Sequence, residues 1–181
     1  MNILLDGISG VGKTYLGEKL AERLGIRFYE FLPDSETNSE SALHSYAIQR
    51  QAKTDMTIIE GSYIMSEIVK MYMYENGMID FEQILKMKSI DTSKVKPFFV
   101  IFITDDRDKI AKRVKSRGRP YEFRPDLKNL ESLNDYIISN YPAFYNKHNV
   151  IYKVFSRMGM TEKETLDSLT DLVYNIIKEY M

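Results

Sequence analysis

Residues 2–14 read Asn2-Ile3-Leu4-Leu5-Asp6 followed by Gly7-Ile8-Ser9-Gly10-Val11-Gly12-Lys13-Thr14. The first five are a short apolar run ending in an acid, and beyond Thr14 come Leu16, Leu20 and Leu24, closed by Gly25. Leucines four apart share one face of a helix, and a glycine just past the last of them is a helix stop. The segment therefore reads as strand, loop, helix. Residues 7–14 fit G-x-x-x-x-G-K-[ST] at every specified position, with the flanks that pattern requires.

That loop carries a specific chemistry. Gly7, Gly10 and Gly12 permit backbone conformations that turn N–H groups inward, so that the loop, with Ser9 and Val11, forms a nest for phosphate oxygens. The helix that follows points its positive end at the same place. Lys13 is placed to reach the outer phosphates, and Thr14 carries the hydroxyl that such a P-loop uses to hold magnesium. ATP and Mg2+ are the expected ligands. An acid at the end of a neighbouring strand is the expected second anchor for the metal, and Glu60, closing Met56-Thr57-Ile58-Ile59-Glu60, is the candidate.

Outward from the loop, residues 26–32, 56–59, 98–103 and 150–155 read as further strands. The run Phe98-Phe99-Val100-Ile101-Phe102-Ile103 is apolar at every position, which predicts cover on both faces. Residues 33–41 are rich in turn formers and read as a surface loop. Helices are expected at roughly 41–53, 64–74, 81–87 and 106–117, the last with Ile110, Ala111 and Val114 inward. A long helix over 127–145 should be kinked or interrupted by Pro142. Thr161 and Glu164 form a capping box opening a last helix with Leu166, Leu169, Val173, Ile176 and Ile177 inward. Five apolar strands separated by helices predict a five-stranded parallel sheet in an α/β three-layer P-loop NTPase fold.

Composition narrows the partners. At 181 residues and 44% hydrophobic the chain suits one domain with one core, spanning residues 1–181. Lys plus Arg number 25 against 26 acids, so no global field draws nucleic acid or an anionic membrane. There is no cysteine, which excludes disulfides, thiol nucleophiles and zinc thiolate sites. No secretory signal or bilayer-length apolar run is present, and a cytoplasmic protein without membrane or nucleic-acid partners is expected.

A second constellation is Arg113, Arg117 and Arg119, the first two on one helical face and the third two residues on. Their planar forks suit a clamp on phosphate. The spacing equally fits a solvated basic helix balanced by Asp105, Asp106 and Asp108.

Together these residues resemble the deoxynucleoside kinases of the thymidine kinase-like, deoxyguanosine and deoxycytidine kinase group, in the same order and over most of the chain. Asp6 to Thr14 is similar to that family's acid-Gly-Asn-x-Gly-x-Gly-Lys-Ser. Phe28-Tyr29-Glu30 stands where the family has Glu-Pro-Val, and Glu60-Gly61-Ser62 stands where it has Glu-Arg-Ser. Gly77-Met78-Ile79-Asp80 matches a G-x-[IV]-D turn. Lys112 to Glu122 looks like the family's lid, R-x-x-x-R-G-R-x-x-E, and is followed by Tyr141-Pro142-Ala143-Phe144-Tyr145 in an aromatic-rich helix.

The resemblance implies a nucleoside or nucleotide as small-molecule acceptor, a lid over about 113–126, and Glu30 as general base on a sugar 5'-hydroxyl. It further implies Arg113, Arg117 and Arg119 on the transferring phosphates, Glu122 on the sugar 3'-hydroxyl, and Ser156–Thr161 against adenine. His44, with Glu30 and Glu60, would contact the acceptor, and two copies of the chain would pair through helices. Gly61 departs from the family's arginine, and Arg50 is the substitute on the preceding helix. Three other readings stand beside this one: a thymidylate kinase-type monophosphate kinase, a kinase of nucleic-acid 5' ends, and an ATP-binding regulatory module.

Overall fold

The β-forming runs assemble around the strand that leads into the glycine loop. The computed structural model describes residues 2–30, 56–88, 95, 98–117 and 127–180. Five parallel strands are present among them: β1 (Asn2–Gly7), β2 (Arg27–Tyr29), β3 (Thr57–Glu60), β4 (Phe98–Thr104) and β5 (Tyr152–Ser156), in the order β2-β3-β1-β4-β5. The register sets Leu5 opposite Glu60 and Ile101, and Tyr29 opposite Ile59. Among the described residues six helices connect or flank them: α1 (Lys13–Leu24), α2 (Tyr63–Glu75), α3 (Phe81–Lys88), α4 (Arg107–Arg117), α5 (Leu127–Lys147) and α6 (Glu162–Tyr180).

Ile3, Leu4 and Leu5 are each 0% exposed. Successive strand residues face opposite sides, so both faces of β1 are covered. Phe99 to Ile103 on β4 are buried in the same way. Helix α1 packs with α6, and α2 with α5, giving the three-layer arrangement expected of parallel strands.

Local signals place several boundaries. Thr161 and Glu164 make the capping box in both directions, with Thr161 N–H donating to Glu164 Oε2 and Glu164 N–H to Thr161 Oγ1. Asp80 and Gln83 do the same ahead of α3, and Asp106 Oδ1 accepts the amides of Asp108 and Lys109 at the start of α4.

Several expectations need correction or limits. Strand β5 starts at Tyr152 rather than residue 150, because α5 ends in a Schellman turn: Asn149 has φ 51, its N–H meets Asn146 O, and Val150 N–H meets Tyr145 O. Strand β2 starts one residue later than expected because Ile26 N–H still caps α1 through Ala21 O, and residues 31–32 lie outside the described residues. Pro142 sits inside α5 without interrupting it, since buried Ile137 and Tyr145 on either side anchor the helix by packing. Ala111 is exposed, and only Ile110 and Val114 of that trio are buried. The expected loop at 33–41 and helix at 41–53 lie outside the described residues.

Candidate phosphate-binding site

The carboxyl ends of β1, β3, β4 and β5 converge at the glycine loop, the side of an open parallel sheet where ligands bind, and residues of α4 and α5 join them there. Gly7, Gly10 and Gly12 have φ of 141°, 81° and 95°. At Gly12 the left-handed conformation favours glycine, and a Cβ there would lie 2.6 Å from Arg157 Nη1, so that guanidinium would have to shift. Gly12 is also the N-cap of α1 and offers no side-chain acceptor, so the first-turn amides of α1 have no side-chain cap. An anion is what such a helix start accommodates.

Lys13 Nζ folds back to donate to Gly7 O at 3.0 Å and Ile8 O at 3.1 Å. The Ser9 amide donates to Asn134 Oδ1 on α5 at 3.3 Å, and the Val11 amide to Ile8 O at 3.4 Å. Thr14 Oγ1 donates to Glu60 Oε2 at 2.9 Å, so the two expected metal ligands are brought together across 46 positions of sequence. Both are oxygen donors, the type magnesium takes. Glu30 follows β2 directly and is half-buried. Tyr29 is opposite Ile59, and Glu30 and Glu60 are the residues that follow them along the chain.

Arg113 is brought to the loop as well. Its Nη2 donates to Asp105 Oδ2 at 2.5 Å and its Nη1 to Gly10 O at 3.3 Å. Burial alone would raise Asp105, but the hydrogen bond from Arg113 and the Asp106 amide hold its carboxyl below the usual range. Arg117 closes α4, and its side chain is not among those described; Arg119, Glu122, His44 and Arg50 lie outside the described residues.

Three further residues build this region: Asn134, which no motif singled out, and Arg157 and Tyr145, which fall in segments the resemblance quoted without giving either residue this role. Arg157, after β5, donates from Nη1 to Val11 O at 2.5 Å, while its buried Nε has no hydrogen-bond partner and lies 3.8 Å from Asp105 Oδ2. Asn134 takes the Ser9 amide from a helix 125 positions away. Tyr145 donates to the fully buried Asp6, which also accepts from the Ser62 amide and hydroxyl. Burial pushes the Asp6 carboxyl up, and these hydrogen bonds oppose it. Ser62 in turn caps α2 through the Met65 amide. The one hint in the sequence was Asp6 itself, a charged residue closing an apolar strand.

No family model matches the chain. Solved structures do. A deoxyadenosine kinase from M. mycoides with bound dATP superposes with a TM-score of 0.79 at 16% identity, covering 96% of this chain and 100% of that one. The YorR protein of Bacillus subtilis, in complex with phosphorylated GDP, gives 0.61 at 17% identity over 98% and 96%. A shikimate kinase from Bacteroides thetaiotaomicron gives 0.58 at 14% identity over 98% of both chains. The chain thus has the nucleoside kinase-like P-loop fold. No helix among the described residues is long and apolar enough to cross a membrane.

Proposed function

We propose that residues 1–181 form one cytoplasmic kinase domain that transfers the terminal phosphoryl group of ATP to the 5'-hydroxyl of a deoxynucleoside or nucleoside. The observation that carries this reading is the Thr14 to Glu60 hydrogen bond at 2.9 Å, set at the head of α1 beside Lys13. Thr14 and Glu60 would hold magnesium, which when bound neutralises charge between the outer phosphates of the donor.

In this scheme the Gly10–Gly12 backbone and Lys13 cradle the donor phosphates, and Arg113, Arg117 and Arg119 stabilise charge spread over the transferring group. Glu30 accepts the proton of the attacking hydroxyl, a role consistent with its place directly after β2, the strand paired with β3. His44 and Glu122 orient the acceptor. Gly61, with φ 78°, supplies no charge where the resembled family has arginine, so the lid arginines carry more of the stabilisation.

The test is acceptor-dependent ADP release from magnesium-ATP over a panel of deoxynucleosides, ribonucleosides and their monophosphates, beside Lys13→Ala and Glu30→Gln. Release with a nucleoside that both variants lose supports the proposal and names the acceptor. Response to monophosphates alone identifies a monophosphate kinase, and ATP binding without turnover identifies a regulatory module.

A further inference from the structure

Two guanidinium groups meet one carboxylate behind the glycine loop. Asp105 is buried, with 1% of its side chain exposed, and its Oδ2 is held by Arg113 Nη2 at 2.5 Å. The same oxygen lies 3.8 Å from Arg157 Nε, a buried donor with no hydrogen-bond partner. The other ends of both arginines grip consecutive loop carbonyls, Arg113 on Gly10 O and Arg157 on Val11 O. In a trans peptide the C=O and N–H point in opposite directions. Holding the Val11 carbonyl therefore turns the Gly12 N–H away from Arg157.

An orphaned buried donor is costly, and a buried carboxylate stripped of its partner is more so. Arg113 cannot leave Asp105 for a phosphate without exposing that second cost, unless another cation takes its place. Arg157 Nε is already buried, already charged and less than an ångström beyond hydrogen-bond range of the oxygen that would be vacated. Burial and the nearby Arg113 both pull the Arg157 guanidinium below its ordinary value, and the departure of Arg113 would remove the second of these effects.

We infer that Arg157 is a positioning residue of the nucleotide site: it sets the Val11–Gly12 peptide and takes over Asp105 when Arg113 turns to the donor phosphates. This rests on reading residues 7–14 as a nucleotide site. Arg157 touches no reacting atom in this scheme; it acts through the loop backbone and through Arg113. The exchange makes one carboxylate serve two arrangements of the site, paired with Arg113 in one and with Arg157 in the other.

The experiment is a double-mutant cycle on magnesium-ATP affinity, read by direct titration of the full chain, with Arg157→Ala, Asp105→Asn and the pair, and with thermal unfolding of each variant recorded alongside. Arg157→Ala should weaken binding about tenfold, within the coupling range of residues sharing one network. In the Asp105→Asn background, where no buried charge is left behind, only the hold on the Val11 carbonyl remains to be lost, and the same change should cost several-fold less. Asp105→Asn alone should tighten binding by freeing Arg113, and Arg157→Lys should recover part of the Arg157→Ala loss. If Asp105→Asn does not fold, Arg113→Gln closes the cycle, with the same shrinkage expected. Equal losses from Arg157→Ala in both backgrounds would overturn the exchange while leaving the nucleotide site intact. Failure of the unaltered protein to bind ATP, or undiminished binding by Lys13→Ala, would overturn the nucleotide reading itself and this inference with it.

Discussion

Tyr145 on α5 donates its hydroxyl to Asp6 Oδ2 at 2.6 Å, tying the helix over 127–147 to the strand that feeds the glycine loop. Both residues are 0% exposed. Removing the hydroxyl leaves a buried carboxyl with one donor fewer, so Tyr145→Phe should lower unfolding stability by about 1–3 kcal/mol. Asp6→Asn should also cost stability, because the amide oxygen must stay on the Ser62 N–H and the NH2 then faces two hydroxyls that now donate to Asp6 and would have to turn to accept. Urea unfolding of both variants checks this, and unchanged midpoints would show that the network contributes nothing net.

Glu67 on α2 is paired with Lys147 Nζ at 2.9 Å and His148 Nε2 at 2.7 Å. Burial would raise its carboxyl, yet these two hydrogen bonds hold it below its ordinary value. A depressed acid stabilises the fold at pH above its unfolded value, about 4.3, and that contribution is lost as pH falls through the lower folded value. Glu67→Gln should therefore destabilise the protein by roughly 1–3 kcal/mol at pH 7. The gap between variant and parent should narrow in unfolding curves taken below about pH 4. A gap independent of pH would assign the effect to packing alone.

Glu60→Gln should separate metal from nucleotide. Thr14 and Glu60 meet at 2.9 Å, and only the metal requires the carboxylate charge. ATP affinity in the presence of magnesium should fall by at least about tenfold, while affinity measured in EDTA stays the same. Parallel losses under both conditions would place Glu60 on the nucleotide instead.

Gly12→Ala and Gly25→Ala make a matched pair. Both glycines are left-handed, with φ 95° and 64°, but a Cβ meets Arg157 only at Gly12 and nothing within 4 Å at Gly25. Each should cost about 1–2 kcal/mol of stability for the backbone conformation. Only Gly12→Ala should also abolish ATP binding, and retention of binding by that variant would argue against the loop as the phosphate cradle.

Much of this was legible in the sequence because it is local. Gly7 to Thr14 satisfies a pattern whose geometry is set within eight residues, and the capping box of Thr161 and Glu164 within four. The alternation of apolar runs and helical spacings likewise forced a parallel sheet, since strands joined through helices have no shorter way to pair. Boundaries were less legible where a turn overrode propensity, as at Asn149, where the Schellman bonds delay β5.

The sequence by itself determined the glycine loop between strand and helix, the order of strands and helices, and the candidacy of Glu60 and Glu30 at strand ends. Only the tertiary structure decided that Thr14 meets Glu60, that Tyr145 and Ser62 satisfy Asp6, and that Asp105 lies between Arg113 and Arg157. Those pairs are distant along the chain or join separate elements, and nothing in local propensity encodes them. They follow from the packing of β1 between β3 and β4, which buries charged side chains where each must find its partner in another part of the fold.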